Sequence, residues 1–117
     1  MIELSLAEIA EAVSGTIFRG AKTDLVSGVS TTDSRSVEQG GIFFAKVGAN
    51  DDGHRHLAQA VQAGAVLAIL QHPDEAAAIN QIVVADSVAA LSDLAQLVLS
   101  RVRSKGNLTV IGITGSN

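Results

Sequence analysis

The chain has no cysteine, no tryptophan, no tyrosine and only three phenylalanines. Without cysteine it can form neither a disulfide nor a thiolate metal site. That suits a reducing compartment, and the expected location is the cytoplasm. Without large aromatics the core has to be built from small and branched aliphatics. Much of the 47% apolar content is alanine, which contributes little buried area per residue. An excess of positive charge is missing as well. The net charge of −4 argues against a nucleic-acid partner, since such modules normally show a basic face. No run approaches the roughly 18 apolar residues of a membrane span. Glu3, Glu8 and Glu11 stand where a secretory signal would carry Lys or Arg. There is no internal repeat and no low-complexity segment. At 117 residues the chain fits one domain.

What is present alternates between strand and helix patterns. Ser5-Leu6-Ala7-Glu8 forms a capping box, with Leu4 and Ile9 placed for a hydrophobic staple. Leu6, Ile9, Ala10 and Val13 recur at helical spacing, so a helix is expected over 6–14 with Gly15 at C′. Strands are expected at 16–18 and 25–30. GIFFAKV, residues 41–47, reads as a strand buried on both faces. A helix over 56–63 closes at Gly64, and strands follow at 65–70 and 82–85. Pro73 opens the turn between them. Ser87 is placed to cap the strongest helix, whose face runs through Val88, Leu91, Leu94, Ala95, Val98 and Val102. Arg101, Arg103 and Lys105 suit the C-terminal end of its macrodipole. A last strand is expected over 108–113. This alternation predicts an α/β fold: a three-layer sandwich with a mostly parallel or mixed sheet, in a single domain.

Three stretches carry candidate chemistry. The first is Ser30-Thr31-Thr32-Asp33-Ser34-Arg35, six polar residues with four hydroxyls between two candidate strands. Such a loop is either solvated and locally hydrogen-bonded or half of a binding site. The second is Gly48 to His54, again at a strand end. The two loops would adjoin if their strands are neighbours ending on the same side. The third is the tail, Thr114-Gly115-Ser116-Asn117, which follows an apolar strand. It reads either as an ordinary turn or as the opening of a phosphate-binding loop lacking its Gly-Lys-Thr.

In this order the stretches resemble the N-terminal domain of the Mur ligase family. The opening Met1 to Ala10 resembles the family's first helix, and Gly28 to Arg35 its Asp-Ser-Arg loop. Gly41 to Ala45, Gly48, Asp52-Gly53-His54, Ala60 and Gly64-Ala65 resemble its central block. Val110 to Asn117 resembles the strand and first half of its ATP loop. The match spans essentially the whole chain. The Asp-Ser-Arg and Asp-Gly-His blocks belong to two family members, one adding the third residue of the peptidoglycan peptide and one adding D-Ala-D-Ala. The opening helix and His54 favour the second.

The resemblance implies a substrate-binding domain over 1–107, with 108–117 beginning the ATP-binding central domain. The whole protein would be a cytoplasmic ATP-dependent ligase joining D-Ala-D-Ala to UDP-MurNAc-tripeptide. ATP with Mg²⁺ would activate the peptide carboxylate as an acyl phosphate. The alternatives are the ligase that adds the third residue, and a non-catalytic α/β binding or regulatory module of the same fold. By resemblance Thr32, Ser34, Ala49, Asn50 and Asp51 contact the UDP moiety. Asp33 is expected to bond its own loop or Arg35. Arg35 either neutralises diphosphate charge or serves as a structural partner of Asp33. Thr114, Gly115, Ser116 and Asn117 would begin the ATP site, and without the Lys these 117 residues are expected to lack ligase activity. No catalytic residue and no metal ligand is assigned. His56 and His72 give no metal-ligand spacing with His54, so a packing or hydrogen-bonding role at a helix start is expected for His54. Asp86 and Ser87 read as helix entry.

Overall fold

The structure is a computed structural model that describes residues 3–106. The expected strand over 108–113, the ATP-loop residues 114–117 and the boundary at residue 107 lie outside the described residues. Five strands form the main sheet: β2 (Thr16–Arg19), β4 (Ser30–Thr31), β5 (Ile42–Phe44), β6 (Leu67–Leu70) and β7 (Asn80–Val83). Their order is β2-β7-β6-β5-β4, with β4 to β7 parallel and β2 antiparallel to β7. β1 (Leu4–Ser5) and β3 (Leu25–Val26) make a separate antiparallel pair. The helices are α1 (Leu6–Ala12), α2 (Leu57–Ala63) and α3 (Ser87–Gly106).

β5 and β6 are central and buried along their whole length, as a doubly covered parallel sheet requires. Their side chains alternate between two cores. Ile42, Phe44, Leu67 and Ile69 join α1 and α3 residues on one face. Phe43, Ala68 and Leu70 meet Leu57 and Ala60 of α2 on the other. The result is the expected three-layer α/β sandwich with a mixed sheet. Each fully buried Phe or Leu contributes about 1.5–3 kcal/mol relative to exposure.

The capping box forms as expected. Glu8 N–H donates to Ser5 Oγ at 3.1 Å and Ser5 N–H to Glu8 Oε1 at 2.9 Å. The other end of α1 differs. Ser14, not Gly15, takes the left-handed conformation at φ 56°. Gly15 is one residue further on, its N–H donating to Ala10 O at 2.8 Å. Its lack of a side chain serves packing: a Cβ there would stand 2.6 Å from Ile82 Cγ2.

The single strand expected over 25–30 is two. The break falls at Gly28, where a Cβ would lie 1.8 Å from Gly40 O. Only glycine admits a backbone crossing that close, and it stands where the chain passes from the small sheet to the large one. α3 also departs from expectation. Asp86 caps it, its Oδ1 accepting from the Val88 and Ala89 N–H groups at 2.9 and 3.1 Å. Ser87 is fully buried instead. The inward face runs through Ala90 and Leu94, with Leu91, Leu97 and Val98 packed beside them, while Val88, Ala95 and Val102 are exposed. Arg101 bonds Glu8 at 2.8 Å, tying α3 to the first turn of α1.

Candidate functional site

β4 and β5 are parallel neighbours, paired Ser30 with Ile42 and Thr31 with Phe43. The two polar loops therefore leave the same edge of the sheet, where α/β proteins build their ligand sites. Between them lies a cleft of about 450 Å³ lined by Thr32, Asp33, Ser34, Arg35, Asp51, His56 and Gln59. A larger groove of about 510 Å³ runs along α3 beside Val29. Its walls are Leu, Val and Ala apart from Ser30, so it offers little to a polar ligand.

The first loop is a 3₁₀ turn, Ser34–Ser36, headed by Asp33. Thr31 Oγ1 accepts from Asp33 N–H at 3.1 Å, and Asp33 Oδ1 accepts from Arg35 N–H at 2.9 Å. The Arg35 guanidinium then closes a two-point bond on the same carboxylate, at 3.1 and 3.2 Å. Arg35 thereby holds Asp33 below the usual carboxylate range, first through that side-chain bond and then through its backbone N–H. Of the two readings of Arg35, the structure displays the pair with Asp33. The Arg35 side chain is 79% exposed, so its outer face stays open to a ligand. Ser34 is the reverse: only 6% exposed, it donates its hydroxyl proton to Gln59 Oε1 of α2 at 2.6 Å.

The second loop begins as a tight turn, with Val47 bridged to Asp52 and Gly48 N–H donating to Asp51 O at 2.8 Å. Asp51 leans back into the cleft, its Oδ2 2.9 Å from His56 Nε2. That bond, ahead of Asp52 N–H and Arg55, lowers the Asp51 pKa. Asp52 heads a second 3₁₀ turn, Gly53–His56. Its Oδ1 accepts from His54 N–H at 2.9 Å and lies 2.6 Å from His54 Nδ1. The opposite ring nitrogen, Nε2, accepts from Gln71 N–H at 3.0 Å. A nitrogen that accepts carries no proton, so the His54 proton sits on Nδ1 and donates to Asp52. The hydrogen-bonding role expected of His54 is what the geometry displays.

His72, at no ligand spacing from His54 in the sequence, lies against it in the fold. The fold stacks the His72 ring on His54, with centroids 3.8 Å apart and planes 13° apart. Asp52, His54 and His72 bring candidate ligand atoms within 4.8 Å of one another. Eighteen residues separate the two histidines, and only the parallel β5–β6 pairing closes that gap. The cluster does not suit a metal. Ligation through Nδ1 would move the His54 proton to Nε2, against the N–H of Gln71 already pointing there.

Of the residues assigned to UDP, the fold brings Thr32, Ser34 and Asp51 together in one cleft, with Arg35 at its edge. Ala49 and Asn50 stand exposed at the tip of the 48–51 turn and do not line it. His56 and Gln59 do line it and were missed. An acid five residues before a histidine at a helix start could have signalled His56. Nothing in the sequence pairs Gln59 with a serine 25 positions earlier.

Comparison with known proteins gives the same family throughout. Residues 26–99 match the model described as Mur ligase family, catalytic domain. The UDP-N-acetylmuramoyl-tripeptide–D-alanyl-D-alanine ligase of Mycobacterium tuberculosis is 37% identical over 139 aligned positions, covering 100% of this chain and 27% of that protein. The UDP-N-acetylmuramoyl-L-alanyl-D-glutamate–2,6-diaminopimelate ligase of Geobacter sulfurreducens is 35% identical, covering 97% of this chain and 22% of that one. The solved structure of the UDP-N-acetylmuramoylalanyl-D-glutamyl-2,6-diaminopimelate–D-alanyl-D-alanyl ligase from Acinetobacter baumannii superposes with a TM-score of 0.70 and 32% identity. It covers 80% of this chain and 21% of that one. The chain thus spans about a quarter of the length of the curated relatives it matches.

Proposed function

This chain belongs to the Mur ligase family, and from that premise we propose that it holds the UDP end of UDP-MurNAc-tripeptide for a ligase that adds D-Ala-D-Ala. The observation that carries this reading is the single cleft in which Thr32, Ser34 and Asp51 converge from two loops at the ends of β4 and β5. Hydroxyls can donate to phosphate or uracil oxygens and accept from uracil N–H. Asn50 and the backbone at Ala49 reach a ligand only if it extends past the cleft to the turn tip. Arg35, exposed and already charged, can swing one face toward a diphosphate while keeping Asp33.

The matching family model is named for a catalytic domain; on this reading residues 3–106 bind the substrate, and the reacting groups and the ATP–Mg²⁺ site lie elsewhere in the protein. The cleft has no lysine, and its two carboxylates are engaged by Arg35 and His56. ATP chemistry belongs, on this reading, to the segment opening at Thr114, and no catalytic step is assigned to residues 3–106. The second reading, a ligase adding the third peptide residue, is favoured by the 35% identity to the diaminopimelate ligase of Geobacter sulfurreducens. The cytoplasm is the compartment this substrate implies. Among the described residues no helix is long and apolar enough to cross a membrane.

A cleft that grips substrate far from the reacting carboxylate contributes equally to ground state and transition state. The test is phosphate release by the longer protein carrying this chain, given ATP, Mg²⁺, UDP-MurNAc-tripeptide and D-Ala-D-Ala. Turnover is expected with D-Ala-D-Ala and not with UDP-MurNAc-dipeptide plus diaminopimelate; the opposite preference selects the second reading. Thr32→Val is expected to raise KM for the UDP substrate about three- to tenfold with kcat unchanged. A fall in kcat at constant KM would contradict a binding role.

A further inference from the structure

The floor and rim of the cleft differ in chemistry. The rim carries the charges, Asp33 with Arg35 and Asp51 with His56. The floor is neutral: the buried Ser34 hydroxyl against the Gln59 amide. A diphosphate needs a cation, which the exposed Arg35 offers on the rim, and the neutral floor suits the base. This rests on the UDP reading above.

The Ser34–Gln59 bond fixes the polarity of that floor. Its 2.6 Å length is that of an O–H···O bond and short for N–H···O. The Ser34 proton is therefore spent on Gln59 Oε1. Ser34 Oγ can then offer a ligand only lone pairs, and Gln59 Nε2, which has no partner among the described residues, offers only N–H donors. The pair presents an acceptor beside a donor. Uracil matches it: N3–H donates to Ser34 Oγ while O4 accepts from Gln59 Nε2. Cytosine opposes it at both atoms, with an acceptor at N3 and a donor at N4. We infer that Ser34 and Gln59 together are the specificity-determining pair of the cleft, reading the N3–O4 edge of uracil and rejecting cytosine. Gln59 is exposed on α2, so its substitution can be tested without opening the core.

The experiment titrates this chain with UDP and with CDP by amide NMR, for the wild type and for Gln59→Glu. Glutamate can still accept the Ser34 proton, but it replaces the donors at Nε2 with an acceptor. Wild type is expected to prefer UDP by about tenfold or more, the scale of a two-point base contact. The Gln59 side-chain NH₂ resonances should shift on adding UDP. Gln59→Glu, with its backbone amide spectrum otherwise unchanged, should narrow the UDP/CDP ratio at least about fivefold. If wild type takes UDP and CDP alike, or if Gln59→Glu keeps the full UDP preference, the inference falls while the UDP reading stands. If neither nucleotide moves the spectrum at millimolar concentration, the UDP reading falls and takes the inference with it.

Discussion

The two turns that frame the cleft are built to one plan and put to different use. Each follows a strand of the parallel sheet or its extension. Each is a 3₁₀ turn headed by an aspartate, and each aspartate accepts from the N–H two residues on at 2.9 Å. In each, that same residue also closes on the carboxylate with its side chain, Arg35 on Asp33 and His54 on Asp52. The difference lies in where the basic side chain goes next. Arg35 ends in solvent, 79% exposed. His54 is 9% exposed, takes the Gln71 N–H at its far nitrogen and stacks on His72. An Asp-x-basic turn thus becomes a movable charge when it ends in water and a fixed staple when it ends against a neighbouring strand. The second turn holds the cleft's shape, and the first is free to meet what enters it.

Substitutions that attack the fixed turn should cost most. Gly53→Ala would place a Cβ 2.7 Å from Lys46 N and 3.0 Å from Ala45 C. The atoms met are all backbone of the Ala45–Lys46 peptide, so no rotamer can absorb the clash, and a loss of about 2–4 kcal/mol is expected in urea denaturation. His54→Ala comes next. It removes the acceptor of Gln71 N–H, and an orphaned donor costs about 1–3 kcal/mol. Two conservative variants divide that effect. Asn keeps a donor where Nδ1–H stood and Gln keeps an acceptor where Nε2 stood, so each should recover part of the lost midpoint. Failure of both would mean the ring's packing on His72 carries the stability.

Acid should weaken both turns. The folded pKa of Asp33 is lowered, chiefly by the Arg35 side-chain bond, and that of Asp52 chiefly by His54 N–H. Each group therefore binds fewer protons folded than unfolded near its transition. Its contribution is full above the usual carboxylate range and is lost as pH falls through the lowered folded value. Urea midpoints measured from neutral pH to about pH 3 should fall less steeply in Asp33→Asn and in Asp52→Asn than in wild type. The smallest expected effect is that of Arg35→Ala at neutral pH. Its pair is exposed, and exposed pairs contribute little to stability. The midpoint should fall only slightly, by no more than the small acid-labile contribution of Asp33, while UDP binding weakens. A large stability loss there would erase the contrast between the two turns.

Much of this was legible locally. The capping box, the buried GIFFA strand and the left-handed Gly64 closing α2 at φ 110° depend on neighbours within four residues, and sequence spacing shows such neighbours directly. What stayed hidden depends on contacts far apart in the chain. The split at Gly28 exists because Gly40 crosses it. The rotation of the α3 inward face toward Ala90 and Leu94 follows from where α1 and the sheet lie. The His54–His72 stack needs β5 and β6 side by side, and Gln59 enters the cleft only because α2 packs over the first turn. The site residues close to the strand ends were found by resemblance, while the partner that orients Ser34 was not.

The central claim is that these two turns make one UDP site. Its most direct test is an amide NMR titration of this chain with UDP. The account predicts shifts that map to both turns, at Thr32 to Arg35 and at Asp51 and His56, together with the Gln59 side chain. Shifts confined to one turn, or to the apolar groove along α3, would contradict it.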